Sequence, residues 1–144
     1  MKRILIFMLF IIATTAQAQV NKMTGQWNTF DDKTGNMASL VEIKENNGVY
    51  TCTILHLYQK KADGTYEFKK PPYSKSDEKI VGSQIFIDMK ANKDQLKGKV
   101  YDPDDQKTYF GKVSYNAKTD ELILRGSLDK AGLLGRSQTW KRNK

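Results

Sequence analysis

The chain of 144 residues holds one cysteine, one histidine and three prolines. A lone cysteine, Cys52, cannot close an internal disulfide, so the fold has to rest on an apolar core. Cys52 sits in the middle of a strand-like run, where a buried small hydrophobe is the expected role rather than a reactive thiol. The lone histidine, His56, has no nucleophile beside it, and Gly-x-Ser-x-Gly, His-Glu-x-x-His and phosphate-loop patterns are all missing. No catalytic constellation is therefore assigned, no cofactor is implied, and the chain is not expected to be an enzyme. Apolar runs are lacking after Ala13, so no transmembrane segment is expected in the remainder. Blocks of one charge sign are lacking too. The formal net charge of +8 comes from lysines and arginines interspersed with acids, without the concentrated basic face that nucleic acid requires.

What is present begins with Met1-Lys2-Arg3, an apolar run from Ile4 to Ala13, and Ala16-Gln17-Ala18. A basic start, a short apolar centre and small residues two apart describe a signal peptide cleaved after Ala18. Residues 1–18 are thus read as a leader and 19–144 as one domain, periplasmic or secreted. No cysteine follows the cleavage site directly, which argues against a lipid anchor.

Beyond the leader, period-two alternation recurs. Gly25 to Phe30, Ser39 to Glu45, Val49 to Tyr58, Ile85 to Met89, Leu96 to Tyr101, Thr108 to Tyr115, Glu121 to Ser127 and Gly135 to Arg142 all read as strands. Asn46-Asn47-Gly48, Asp102 to Gln106 and Asn116 to Asp120 supply hairpin chemistry between them. Val49 to Tyr58 is apolar on both faces, as in a strand covered on both sides over part of its length. Gln59 to Lys79 breaks the pattern with charge and with Pro71-Pro72, and is expected to be a mobile insertion. No stretch reads as an amphipathic helix. About eight short strands on hairpin turns predict an all-β fold, an antiparallel up-and-down barrel whose interior either holds one small ligand or is filled by side chains.

Gly25-Gln26-Trp27, Val41-Glu42-Ile43, Tyr101-Asp102-Pro103, Lys107-Thr108-Tyr109, Leu124-Arg125-Gly126 and the block Leu134 to Trp140 resemble a bacterial family of small exported proteins catalogued as domain of unknown function 2147. That resemblance implies a periplasmic β-barrel. Two departures stand out. Gln106 occupies a position where the family usually has glycine, which implies a differently shaped turn. The 59–79 insertion lacks the family's common cysteine pair, which removes a redox or metal role from that loop. A weaker likeness, to lipocalins, rests on Gly25-x-Trp27 near the first strand and implies a late arginine packed on Trp27, with Arg125, Arg136 and Arg142 as candidates.

Candidate ligand-binding residues are Arg125, Arg136, Tyr101, Tyr109, Trp27 and Trp140. Arg125 lies in an apolar run, where a half-enclosed guanidinium needs a planar acceptor: Asp102, or a bound carboxylate or phosphate. Arg136 is expected to stack on Trp27 or Trp140, and Tyr101 and Tyr109 would each offer a polar tip on an apolar body. Asp102, Asp104 and Asp105 fall short of the six or more oxygens that calcium takes, so no metal is assigned. The leading functional expectation is binding of a small apolar or amphipathic molecule. The alternative is an envelope interaction protein with a filled barrel, whose basic 59–79 loop meets an anionic envelope surface or a partner protein.

Overall fold

The computed structural model describes residues 16–144. The expected leader lies outside the described residues except for its last three. Residues 16–21 are helical. Nine strands follow: β1 (Gly25–Phe30), β2 (Met37–Asn46), β3 (Val49–Lys60), β4 (Tyr66–Phe68), β5 (Phe86–Asn92), β6 (Gln95–Asp102), β7 (Lys107–Asn116), β8 (Glu121–Ser127) and β9 (Gly135–Arg142). Eight of them close an antiparallel barrel in the order β2-β1-β9-β8-β7-β6-β5-β3, with β2 pairing back onto β3. The ninth, β4, is a three-residue strand hydrogen-bonded to the far end of β3.

Two seams of the barrel are thin. β1 and β9 share only the pairs Trp27↔Arg142 and Asn28↔Lys141, and β3 meets β5 only at Val49↔Lys90 and Tyr50↔Met89. Above that second contact the segment before β5 takes over, with Ile54 donating to the Ser83 carbonyl and Ile85 to the Cys52 carbonyl. The 59–79 insertion is therefore organised, contrary to the expectation of a mobile loop. It forms β4 and a short helix, α1 (Lys75–Ile80), capped by Ser74 Oγ accepting from the Asp77 amide. Lys69 pairs with Asp77 at 2.9 Å across its base. The six residues of α1 are too few to show a 3.6-residue period, and the Ser74-x-x-Asp77 cap was its only written signal.

The barrel core is one continuous cluster of buried side chains. Val20 and Met23, just ahead of β1, are fully buried at one end against Trp27, Leu122 and Trp140. Ile43, Cys52, Met89, Leu96, Val100, Val113 and Leu124 continue the same cluster along the barrel. Gly98, Gly111 and Gly126 are paired in a row across β6, β7 and β8. Their missing side chains leave no void, because Val100 and Met89 lie over Gly111. Gly98 faces the irregular pairing of β5, where Asp88 has φ 49°. A Cβ at Gly98 would stand 2.7–2.8 Å from the carbonyl oxygens of Asp88 and Ile87 and from Met89 Cα.

In the Asp102–Lys107 hairpin Gln106 takes φ 58°, the left-handed conformation that glycine adopts without strain.

Overpacking of this kind typically costs about 1–3 kcal/mol. Gly98→Ala is expected to lose that much stability in urea unfolding. Gly126→Ala, whose Cβ would meet nothing nearer than Val100 at 3.6 Å, should be neutral or slightly stabilising.

Candidate functional site

The two ends of the barrel carry different chemistry. At the closed end the chain before β1 folds across the barrel, and the Trp27 indole nitrogen donates to the Met23 carbonyl at 2.9 Å. The Arg142 guanidinium lies over the Trp27 ring, 4.2 Å from its centroid. Its Nε donates to both carboxylate oxygens of Asp120, at 3.0 and 2.9 Å, and its Nη atoms donate to the carbonyls of Thr24 and Lys22. Tyr115 adds a hydroxyl donor to Asp120 at 2.9 Å. Burial acts to raise the Asp120 pKa, but the hydrogen bonds from Arg142 and Tyr115 outweigh it and hold the carboxyl below its ordinary value. The late arginine packed on Trp27 is thus Arg142, rather than Arg125 or Arg136.

The mouth is built from the loops β1–β2, β6–β7 and β8–β9. From the buried Trp140 a polar ladder climbs the inner wall of β9. The Trp140 indole nitrogen donates to Gln138 Oε1 at 3.2 Å, and Gln138 Nε2 donates to Asp32 Oδ2 at 3.1 Å. Arg136 then bridges Asp32 at 3.4 Å and Asp102 at 3.8 Å. Beside them Tyr109 donates its hydroxyl to Asp105, which lowers the pKa of that carboxyl. Asp104 is pushed the other way, chiefly by burial and then by the charge of Asp102. Carboxylates thus surround one arginine, whose side chain remains 70% exposed.

Of the candidate residues, Arg136, Tyr109 and Trp140 come together along this ladder. Trp27 lies under Arg142 at the closed end, where the buried Trp140 forms the foot of the ladder. Tyr101 follows the inward-facing Val100 on β6 and so falls on the other face of the strand. Arg125 is paired with Ser137 on the outer face of β8–β9. It does not reach Asp102, which Arg136 takes. Arg125 donates instead to the carbonyls of Gly132 at 2.6 Å and Leu133 at 3.4 Å, and to Ser137 Oγ at 3.3 Å. Its acceptors are the backbone of the β8–β9 loop. Nor does Arg136 stack on a tryptophan, since the Asp32 and Asp102 carboxylates hold it.

Sequence reading missed Asp32, Gln138 and Asp120. Gln138 was legible in part, because it lies two residues from both Arg136 and Trp140 on a period-two strand. Asp32 and Asp120 are loop residues whose partners Gln138 and Arg142 lie 106 and 22 positions away, which no local pattern reports.

Two clefts open at the closed end. A cleft of about 370 Å³ is lined by Asn21, Lys22, Thr24, Tyr115, Asp120 and Arg142, and a second of about 190 Å³ by Thr119, Glu121, Lys141 and their neighbours. Both lie around Arg142, outside the packed interior. Among the described residues no group of three or more acidic, histidine or cysteine side chains is arranged to hold a metal, and no helix is long and apolar enough to cross a membrane. Burial pushes the Cys52 thiol far up its scale, and His56 stacks on Phe68 at 4.3 Å on the outer face of β3.

Cation–π packing and charged hydrogen bonds at Arg142 together are worth about 2–3 kcal/mol. Arg142→Ala should lose about that much in denaturant unfolding, and Arg142→Lys should recover little of it, because an ammonium cannot make the paired contact. Since the folded Asp120 pKa is lowered, its contribution is present above the unfolded value of about 3.9 and disappears as pH falls through the lower folded value. Asp120→Asn should therefore lower the melting temperature at pH 7 and flatten the loss of stability below about pH 4.

The profile of a family described as an uncharacterized protein conserved in bacteria (DUF2147) matches residues 25–142. No curated protein matches the chain. Among solved structures it is similar to protein HP1028 from the human pathogen Helicobacter pylori, described as belonging to the lipocalin family. The two are 28% identical, with 85% of this chain and 83% of that one covered and a TM-score of 0.58. The chain belongs to the DUF2147 family, and its fold is a lipocalin-like barrel.

Proposed function

We propose that this DUF2147 barrel is an exported envelope protein that works through the loops at its mouth, with an interior that serves the fold rather than a ligand. The observation that carries this reading is the filled core. Trp27, Met89, Leu96, Val113 and Leu122 are entirely buried in the space where a ligand-carrying barrel would keep its cavity. The two clefts open to solvent around the Arg142 network, outside the buried core. Export is supported by the leader pattern of residues 1–18 and by the way Val20 and Met23, directly after the expected cleavage site, complete the core. A binding rather than catalytic role is supported by the buried Cys52 thiol and by the stacking of His56 on Phe68.

A second reading has one observation in its favour. Arg136 at the mouth is largely exposed and is held in place by Asp32 and Asp102, so a small amphipathic molecule could lay an anionic group against it. The lipocalin-family neighbour keeps small-molecule binding in view, but the surrounding aspartates oppose an anion there.

Native mass spectrometry on protein recovered from the periplasm of expressing cells, without detergent, separates these readings. The expected native mass equals the denatured mass of a chain beginning at Gln19. A stoichiometric adduct lost on denaturation would overturn the filled-barrel reading, and a chain retaining residues 1–18 would overturn export.

A further inference from the structure

The loop between β8 and β9 holds three large apolar side chains out in solvent. Leu128, Leu133 and Leu134 are 72%, 80% and 67% exposed, far more than any other large hydrophobic of the described residues. Single exposed leucines are ordinary, but three on one short loop form a patch that calls for a partner. The loop is built to hold them there. Asp129 turns inward, its two carboxylate oxygens accepting from the amides of Leu133 at 3.0 Å and Leu134 at 2.6 Å. Leu128 N–H donates to the Leu134 carbonyl, Gly132 N–H to the Asp129 carbonyl, and Ser127 Oγ to the Asp129 carbonyl. Arg125 takes the carbonyls of Gly132 and Leu133 from behind.

The geometry points to a phospholipid surface as the partner, with the β8–β9 loop inserting its leucines at the headgroup–acyl boundary. This rests on the reading that the protein works through its mouth loops. Three features select lipid. Backbone groups entering an apolar phase must be satisfied internally, and those of Leu128, Gly132, Leu133 and Leu134 named above are. Within the loop itself nothing repels an anionic headgroup, since Lys130 is exposed at the tip and Asp129, its one acid, is occupied by its own amides, while the aspartates around Arg136 belong to the neighbouring β1–β2 and β6–β7 connections. Three side chains on one loop also fall well short of the ~800 Å² per partner that a stable protein interface buries, so a second copy is a poor fit. A bilayer needs only a few inserted side chains to retain a protein reversibly.

The test is flotation of the exported protein with vesicles of phosphatidylcholine and phosphatidylglycerol, beside vesicles of phosphatidylcholine alone. Wild type is expected to float. Leu133→Ser/Leu134→Ser should bind at least about tenfold more weakly, with an unchanged melting temperature because neither side chain is buried. Lys130→Glu should weaken binding only to vesicles containing phosphatidylglycerol. Absence of flotation by wild type, or equal flotation by the leucine variant, would overturn the proposal. So would a wild-type dimer in sedimentation velocity that the leucine variant abolishes, since the occupant would then be a second copy. The native mass of the same samples separates a failure of the filled-barrel reading, seen as a bound small molecule, from a failure of lipid insertion.

Discussion

One guanidinium closes this barrel. Arg142 comes from the last strand, and it reaches Trp27 on the first, the carbonyls of Lys22 and Thr24 before it, and Asp120 in the β7–β8 turn. These are the pieces that must meet across the thinnest seam, where β1 and β9 share two residue pairs. A short seam has few ladder hydrogen bonds to hold it, so side chains must supply the closure. A planar ion with five donors and a face suited to an indole ring does this at one point. Asn143 extends the clasp by donating its amide to the Gln26 carbonyl. Everything that faces inward at the closed end, from Val20 to Trp140, stays dry because that clasp holds.

The other thin seam, between β3 and β5, is reinforced differently. There β4, from the insertion, pairs along the end of β3, and residues 83–85 bridge toward β5. Tyr58, Tyr66, Phe68 and His56 stack outside the barrel wall, which accounts for a strand apolar on both faces. With both seams supported, the interior could be filled to high density. Gly111 of β7 lets Val100 of the neighbouring β6 and Met89 of β5 lie down over it. A barrel of eight strands is at the size where a filled interior and a ligand cavity are both available. Here the choice of side chains, not the architecture, decided it.

Much of this was written locally and some was not. The strands of β1, β8 and β9 match the alternation of Gly25–Phe30, Glu121–Ser127 and Gly135–Arg142 residue for residue. Short-range chemistry of that kind is readable because hairpins are made of neighbours. The parity of β8 was readable in principle: Leu122 and Leu124 point inward, so Arg125 points out. Ile123, an apolar residue on the outer face, disguised the alternation and made Arg125 look enclosed. The pairing of Arg136 with Asp32 and Asp102, and of Arg142 with Trp27, depends on which ends of distant strands meet. That is a property of closure, and no local spacing contains it.

A filled interior and an organised rim follow from the same constraint. A barrel that opens to admit a ligand needs mobile loops at its mouth, whereas this mouth is tied down from within by the Trp140–Gln138–Asp32–Arg136 ladder. From outside, Arg125 fixes the β8–β9 loop against the wall of the same sheet. A rigid loop cannot fold its leucines back to hide them, and there is no lumen beneath for them to enter. The apolar surface at the rim is held out by hydrogen bonds on both sides of the loop. Its orientation is set by the strands below, which makes it a surface that can only be covered by something arriving from outside.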